Sequence, residues 1–306
     1  MPVHQLQDRL ILTHPKGASA EILFYGATVV SWKSATSRDP HPTERLFVSS
    51  KALLDGSKPV RGGIPVVFPC FGAPTHPDHS KLSQHGFARS EVWSWYGATV
   101  MDNEAGVSVR LTLAPTDRIK AVYSSLFHLN YVVTLAEHQL STDLHVENTS
   151  TSKDFPPKPL EFQALLHNYI RAPSDQVLVV PLKGLHYYDK TEPTEQARAT
   201  PKVETRAGVD VRTYTDSVYE NAPGKYEVTW PGGGIEIKAT HFKDVVIWNP
   251  QEEGHKIGDM EDGGWEKYIC VEPGYVRGFI QLEPGKKWVG QQVISVIQDE
   301  RRMNTL

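Results

Sequence analysis

The 306-residue chain has an ordinary globular composition, with 39% hydrophobic and 22% charged residues, which excludes a disordered polypeptide. Its 32 Lys and Arg residues and 36 Asp and Glu residues give a formal charge of -4. No overall field therefore attracts nucleic acid or an anionic membrane, and an anionic ligand would have to be bound by local basic residues.

Alternating apolar and polar residues predict half-buried β-strands along most of the chain. Clear examples are Val107–Leu113 and Leu140–Glu147, and a hairpin is predicted from Tyr226 to Ala239, where the glycines after Pro231 accept the positive φ of a tight reversal. In chain order, further strands are expected at Glu21–Tyr25, Thr28–Trp32, Val92–Tyr96, Leu129–Ala136, Phe162–Ile170, Val245–Trp248, Tyr268–Val271, Phe279–Leu282 and Trp288–Ile297.

Helical periodicity over ten or more residues is missing from the sequence, and the best short helix candidate is Ser50–Leu54. Polar runs at Ala35–Glu44 and Tyr188–Arg206 predict loops that can line a binding cleft. Many strands without helical crossovers indicate antiparallel pairing, so the predicted fold class is all-β, a large antiparallel β-sandwich. Because neither polar run has the length of a domain linker, residues 1–306 are expected to form a single domain.

The two cysteines, Cys70 and Cys270, lie far apart in the apolar segments VVFPCFG and YICVEPG. This setting favours buried thiols over a disulfide framework or a zinc site. The opening MPVHQLQDRLILTHP lacks the pattern of a signal peptide, and no segment approaches the roughly 18 apolar residues of a membrane span. A cytoplasmic protein without a membrane partner is expected.

The first candidate for chemistry is the stretch RGGIPVVFP from Arg61, followed after a polar loop by QHGFAR, which ends at Arg89. Adjacent glycines let the backbone approach a ligand closely, and the fork of donors on arginine suits phosphate oxygens. The alternative is a glycine turn that enters an apolar strand, with both arginines as solvated surface charges.

Three further candidates are single ionisable residues in or beside apolar runs. His167, in LLHNY, is either a core histidine bonded to a backbone carbonyl or a proton donor and acceptor. Glu272, in CVEPG, ends a buried run before a predicted Pro-Gly turn. It either caps that turn or acts as a partly desolvated base. Asp216, in TDSVY, stands at a strand entrance, where an aspartate often only caps a turn.

In this order, RGGIPVVFPCFG, QHGFAR, LLHNY, TDSVY and CVEPG resemble the hexose-6-phosphate mutarotases, or glucose-6-phosphate 1-epimerases, of the aldose 1-epimerase-like group. The match runs from about EILFYGATVVSW to the strands after Glu272. RGGIP with QHGFAR is its specific part, since aldose 1-epimerases for unphosphorylated sugars do not resemble the chain there. The resemblance implies the large antiparallel sandwich of the galactose mutarotase-like supersandwich fold, and it implies interconversion of the α and β anomers of hexose 6-phosphates.

The resemblance also implies roles for seven residues. It makes His167 and Glu272 the catalytic pair and makes Asp216 a partner of sugar hydroxyls, although Ser217 stands where relatives often have arginine. It implies substrate binding by Arg61, Gln84, His85 and Arg89, with the arginines on the phosphate. Family members are not known for needing a metal or organic cofactor, and the expected partner is a small-molecule substrate bound by a monomer.

Three other functions are compatible with parts of the sequence. A mutarotase for free hexoses would share the catalytic pair. A non-catalytic carbohydrate-binding sandwich would stack sugars on exposed aromatic rings, although the alternation around the tryptophans places most of them in the core. A metal enzyme of the cupin sort would draw on the 13 histidines, which are scattered without a compact His/Glu cluster.

Overall fold

The computed structural model describes residues 2–37, 39–151 and 158–298. The first eleven strands are β1 Val3–Gln5, β2 Arg9–Thr13, β3 Ser19–Leu23, β4 Val29–Ser34, β5 Thr43–Glu44, β6 Val66–Val67, β7 Thr99–Asn103, β8 Gly106–Leu113, β9 Phe127–Leu135, β10 Gln139–Asn148 and β11 Leu160–Leu166. The later strands are β12 Tyr169–Arg171, β13 Leu178–Val180, β14 His186–Asp189, β15 Lys202–Val203, β16 Thr215–Tyr219, β17 Lys225–Trp230, β18 Gly233–Thr240, β19 Asp244–Asn249, β20 Tyr268–Leu282 and β21 Lys287–Val296.

These strands form three antiparallel sheets. A five-stranded sheet has the order β1-β2-β3-β4-β5, and an eight-stranded sheet has the order β13-β17-β18-β21-β10-β9-β8-β7. In a second eight-stranded sheet the order is β15-β14-β16-β19-β20-β11-β6, and β12 pairs with β20. The predicted all-β, antiparallel fold class is therefore confirmed.

Strands with clear alternation lie where the sequence predicts them. In β9 and β10 every second residue is buried, so one face of each strand packs into the core. The predicted hairpin is the β17–β18 pair, in which Trp230 lies opposite Gly233 across a two-residue turn. Gly232 in this turn has a φ of +85°, a conformation that glycine adopts without a steric penalty.

Three strand predictions need correction. Val92–Tyr96 makes only isolated bridges through Val92 and Ser94, so it is not a strand. Phe162–Ile170 is interrupted after Leu166 and continues as β12, because the backbone N–H of Asn168 donates back to the carbonyl oxygen of Leu166 at 3.1 Å and makes a local turn there. The strands predicted at Tyr268–Val271 and Phe279–Leu282 are one continuous strand, β20, which has paired neighbours on both sides along its first half.

The helices are short and differ from the predicted candidate. They are α1 Asp117–Val122 and α2 Glu195–Ala199, both capped by a threonine, whereas Ser50–Leu54 is a turn and irregular chain. Short 3₁₀ helices cover Pro77–His79, Ala88–Ser90, Gln251–Lys256 and Gly264–Lys267. Across the described ranges, no helix combines the length and the apolar character that crossing a membrane requires.

The two predicted loops contain regular structure. Thr43–Glu44 pairs with β4 as β5, so the first loop is shorter than Ala35–Glu44, and its residue 38 lies outside the described residues. The Tyr188–Arg206 run holds the end of β14, the helix α2 and the strand β15. Its charged side chains pair locally, as in the contacts of Lys202 with Asp189 and Glu192, and these contacts stabilise elements that lack an apolar face.

One large core lies among the three sheets and contains apolar side chains from all of them. Strand β20 is buried on both faces over Tyr268–Gly274. Ile269 and Val271 point into the large core, while Cys270 belongs to a smaller cluster on the opposite face of the same sheet. The alternation of this strand therefore separates a structural face from a second face, which carries the pocket described below.

A buried amide pair joins the two eight-stranded sheets beside His167. Asn168 donates from Nδ2 to the carbonyl oxygen of Val271 in β20 and to Oε1 of Gln292 in β21, both at 2.9 Å. Gln292 donates back to Oδ1 of Asn168 at 2.8 Å, and both residues are fully buried. Because every polar atom named here has a partner, the pair fixes the chain on the C-terminal side of His167 at little polar cost.

Replacing Asn168 by alanine is expected to lower the free energy of unfolding by about 2–3 kcal/mol, because buried partners would lose their hydrogen bonds. Urea unfolding at pH 7 measures this loss. Gln291→Ala is the matched control, since Gln291 is only half-buried and its amide bonds Asp143 at the surface of the sheet. An equal loss in both variants would contradict the role of the buried pair.

Candidate active site

A cavity of about 260 Å³ opens on the outer face of the second eight-stranded sheet. All seven residues singled out in the sequence line this cavity, although they are spread over more than two hundred positions of the chain. The lining residues are Arg61, Phe71, Gln84, His85, Arg89, His167, Lys190, Tyr214, Asp216, Val246, Trp248 and Glu272.

Strand register brings the acidic residues to this face. Antiparallel pairing aligns β16 with β19 and β19 with β20, so that neighbouring side chains on one face stand in rows across the sheet. Two rows face the cavity side, with Val218, Val246 and Glu272 in one and Asp216, Trp248 and Cys270 in the other. The sheet therefore places the two carboxyl groups two strands apart.

His167 and Glu272 form a close buried pair. His167 follows the last residue of β11, and its backbone N–H donates to the carbonyl oxygen of Pro65 at 3.0 Å. Nδ1 of His167 lies 3.5 Å from Oε1 of Glu272, and the two residues are 8% and 1% exposed. In the described part of the chain, neither Nδ1 of His167 nor Oε2 of Glu272 makes a hydrogen bond. Both atoms are buried, and buried polar atoms without a partner are costly to a fold.

Burial shifts both members of this pair toward their uncharged forms. Desolvation raises the pKa of Glu272 well above its ordinary value, the nearby Asp216 carboxyl raises it further, and Lys190 and Arg89 oppose the shift. Desolvation also holds the pKa of His167 well below its ordinary value, with further lowering by His85, Arg89 and Arg61. Burial thus disfavours both the carboxylate of Glu272 and the imidazolium of His167.

His85 is held in one tautomer. Its Nδ1 accepts the backbone N–H of Gly72 at 3.1 Å, so the ring proton of the neutral imidazole must be on Nε2. Burial, with the positive charge of Arg89 as the next cause, holds the pKa of His85 well below its ordinary value. His85 therefore presents a neutral N–H donor on the pocket side and is unsuited to act as an imidazolium acid.

The two glycines after Arg61 serve the packing of the backbone. Gly62 and Gly63 have φ values of +130° and +69°. A Cβ atom would lie 2.4 Å from the carbonyl oxygen of Phe47 at the first position and 2.2 Å from that of Val29 at the second. The glycines thus let this turn approach neighbouring protein backbone, and the close approach to a ligand stays a prediction.

Arg61 and Arg89 converge on the cavity from different elements. The guanidinium of Arg61 is half-buried and donates from Nε to Oδ1 of Asp259 at 2.9 Å and from Nη1 to the hydroxyl of Tyr169 at 3.3 Å. Arg89 donates from Nη2 to the carbonyl oxygen of Gln84 at 3.0 Å, and its buried Nε has no partner in the described ranges. A second cavity of about 480 Å³ adjoins the same two arginines. Neither arginine is a solvated surface charge.

Sequence reasoning missed Lys190 and Tyr214, and it named Trp248 only among the tryptophans of the alternative carbohydrate-binding sandwich. Lys190 follows β14, and its Nζ lies 3.3 Å from Oδ2 of Asp216 and 4.8 Å from the ring centre of Phe71. Trp248 sets its ring edge-on to His167 at 6.0 Å. Lys190 belongs to a polar run without apolar alternation, so the available signal was only its place after the aromatic strand His186–Asp189.

The predicted turn at Glu272 is wrong. Glu272, Pro273 and Gly274 continue inside β20, opposite Val246, Val245 and Asp244 of β19. Pairing with neighbouring strands overrides the turn preference of the Pro-Gly sequence, and a Cβ at Gly274 would lie 2.9 Å from Leu165. A carboxyl group in mid-strand has no turn to cap, which removes the structural explanation for Glu272.

The side chains of His167, Cys270 and Glu272 bring a nitrogen, a sulfur and an oxygen within 4.8 Å of one another. Metal binding at such a site would need the thiolate and the carboxylate. Burial raises the pKa of Cys270 well above its ordinary value, with Glu272 as the next cause. The protonated thiol fits the apolar packing beneath the pocket better than it fits a metal ion.

The sequence matches the family model described as aldose 1-epimerase over residues 8–295. The chain belongs to the aldose 1-epimerase family. A protein of Cenchrus ciliaris named "Putative glucose-6-phosphate 1-epimerase" is 29% identical over 95% of this chain and 85% of its own length. A protein of the same name from Escherichia coli is 25% identical over 88% of this chain and 83% of its own length.

Solved structures agree with the fold of this family member. The crystal structure of a "putative mutarotase" from Salmonella typhimurium has a TM-score of 0.80 and 24% identity, with 97% of this chain and 93% of that chain covered. A galactose mutarotase related enzyme from Lactobacillus acidophilus has a TM-score of 0.71 at 16% identity, with 94% and 97% covered. The galactose mutarotase-like fold implied by the sequence is thus confirmed.

We expect Glu272→Gln to stabilise the folded protein at high pH. The folded state holds the Glu272 proton more tightly than the unfolded chain does, so the free energy of unfolding decreases as pH rises above the ordinary carboxyl pKa. The advantage of the glutamine variant should grow by about 1.4 kcal/mol per pH unit in that range. Denaturant unfolding between about pH 4 and pH 8 measures it, and a constant difference between the two proteins would contradict the raised pKa.

Proposed function

We propose that this protein is a hexose-6-phosphate mutarotase, an isomerase that interconverts the α and β anomers of glucose 6-phosphate and related sugars. The observation that carries the proposal is the meeting of a buried His–Glu pair and two arginines in one cavity of about 260 Å³. Acid–base chemistry and recognition of an anion are then combined in one site. The names of the curated relatives support the same substrate class.

Anomer exchange requires a base that takes the proton from the O1 hydroxyl and an acid that protonates the ring oxygen O5. Both oxygens are bonded to C1, so the two groups must lie close together, as His167 and Glu272 do. We assign Glu272 to O1 as the carboxylate and His167 to O5 as the imidazolium. The C1–O5 bond then opens, rotation about C1–C2 exposes the other carbonyl face, and both proton transfers reverse on closure.

The phosphate would bind Arg61 and Arg89. A charge-assisted hydrogen bond contributes about 1.5–3 kcal/mol, so two arginines would favour a phosphosugar over a free sugar by a factor of about 100 or more. The unpartnered Nε of Arg89 supports this assignment, because a buried donor without a partner is costly until a ligand supplies one.

The remaining polar groups would bind sugar hydroxyls. Asp216 is held by Lys190 and can accept hydroxyl protons in hydrogen bonds. Gln84 and His85, whose side-chain nitrogens lie 3.3 Å apart, can donate to a sugar oxygen. The pair of Asp216 with Lys190 also compensates for Ser217 at the position where relatives often have arginine, because it supplies a cation beside the aspartate.

We also propose that residues 1–306 act as a single domain and a cytoplasmic monomer. The family match over residues 8–295 supports one domain. A phosphate dianion is strongly hydrated and does not cross membranes unaided, which suits a cytoplasmic enzyme. Light scattering with the purified protein measures the oligomeric state.

Anomer exchange of glucose 6-phosphate and free glucose, compared by two-dimensional NMR, tests the substrate class. We expect kcat/KM to favour glucose 6-phosphate by about 100-fold or more. Arg61→Ala and Arg89→Ala should each lower this preference by about tenfold or more, since each removes charge-assisted hydrogen bonds. Arg110→Ala is the matched control, because Arg110 is exposed on β8. Equal losses on both sugars would refute the phosphate role of the arginines.

The catalytic pair is tested with Glu272→Gln and His167→Ala. Each variant should lose about 100-fold or more of kcat on glucose 6-phosphate, as expected when a positioned acid or base is removed. Circular dichroism and the unfolding midpoint show whether the fold persists. A folded variant with normal exchange of anomeric protons would remove that residue from the mechanism.

A further inference from the structure

The surroundings of His167 in the pocket disfavour the protonated form that its proposed role as an acid requires. Ring opening needs a proton on His167, yet the imidazole is buried and lies near the positive charges of Arg61 and Arg89. The proposed base, Glu272, must be a carboxylate, yet burial favours its protonated form. Burial therefore opposes, on both partners, the charged form that catalysis requires.

A continuous contact path links the phosphate-binding arginine to the acid. Nη1 of Arg61 donates to the hydroxyl of Tyr169, and the Tyr169 ring stacks on the His167 imidazole with centres 4.7 Å apart and planes within 10°. Burial raises the pKa of Tyr169 well above its ordinary value, so the phenol stays uncharged. The Arg61 charge therefore acts on His167 across a neutral ring.

The charged groups around the pair are divided between its two members. Arg61, Arg89 and the locked His85 face His167, and Asp259 beyond Arg61 compensates for part of the Arg61 charge. Lys190 and Asp216, which pair with each other at 3.3 Å, face Glu272 instead. Arg89 contributes to both members, and Cys270 stays a protonated thiol. An anion at Arg61 would thus affect the histidine more than the glutamate.

We propose that the phosphate of the substrate is an activator as well as an anchor: by neutralising Arg61 it moves the proton of the catalytic pair from Glu272 to His167. The proton leaves the carboxyl oxygen and binds the imidazole nitrogen, so the pair takes up no proton from solvent. Lys190 remains in place to stabilise the carboxylate that forms. The inference rests on the proposed function, which supplies the phosphate.

The preference for a phosphosugar over a free sugar would then appear in kcat as well as in binding affinity. Binding energy from a group remote from the reacting carbon is used to prepare the catalytic groups, which raises kcat. A free sugar would occupy the same pocket while the pair stays in its inactive protonation state. Supplying the dianion as a separate molecule should restore activity toward a sugar that lacks the phosphate.

The test uses the full-length enzyme, xylose as a sugar without the C6 substituent, and inorganic phosphite as the dianion. Phosphite should raise kcat/KM for xylose by about tenfold or more, the factor that a pKa change of one unit provides. Sodium chloride at equal ionic strength controls for salt. A reaction without enzyme controls for catalysis by the oxyanion itself. In Arg61→Met the activation should fall by about tenfold, whereas Arg110→Met should retain it.

The outcomes separate this inference from the proposed function. If glucose 6-phosphate is not anomerised, the proposed function fails and the inference fails with it. If glucose 6-phosphate is anomerised and phosphite competes with it for the enzyme without accelerating xylose, only the inference is overturned. If phosphite does not bind, glucose 6-phosphate itself is added to enzyme with isotope-labelled histidine, and NMR follows His167, identified by its loss in His167→Ala. A shift toward the imidazolium supports the inference, and an unchanged signal overturns it.

Discussion

Much of the surrounding structure supports the contact between His167, which follows β11, and Glu272, which lies where β20 is buried on both faces. Two ionisable groups at 1% and 8% exposure weaken a fold unless neighbouring elements hold them in place. Strands β11, β12 and β19 flank β20, and the Asn168–Gln292 pair fixes the chain beside His167. The sheet provides this rigidity through paired backbone, so the site itself can contain unpartnered polar atoms.

The pocket also shows why the small net charge of the chain says little about its ligand. Arg61, Arg89 and Lys190 meet within one cavity, and Asp216 and Asp259 each pair with only one of these cations. This local field arises from residues on separate loops and strands, whereas charge summed over the chain averages it away.

Much of the fold follows from local sequence pattern, and the rest depends on long-range pairing. Strands such as β9 and β10 alternate strictly, so periodicity locates them within two residues. The continuity of β20 through Pro273 is not visible locally, because neighbouring strands hold that segment extended. The same limit applies to the site. Motif order identified seven residues that share the cavity, but Lys190 lies in a segment whose place beside Asp216 depends on the register of β14 with β16.

In the RGGIP motif, Gly62 and Gly63 serve the packing of the backbone, whereas Arg61 serves the pocket. Side chains are excluded at both positions by the carbonyl oxygens of Phe47 and Val29, whatever the pocket binds. Arg61 itself extends away from the turn to Asp259 and Tyr169. During divergence the glycines can therefore persist while the arginine is exchanged, so a lineage could change its preferred substrate charge on an unaltered backbone. In a distant homologue, the two glycines would then indicate a shared fold, and the residue before them would indicate the charge of the ligand.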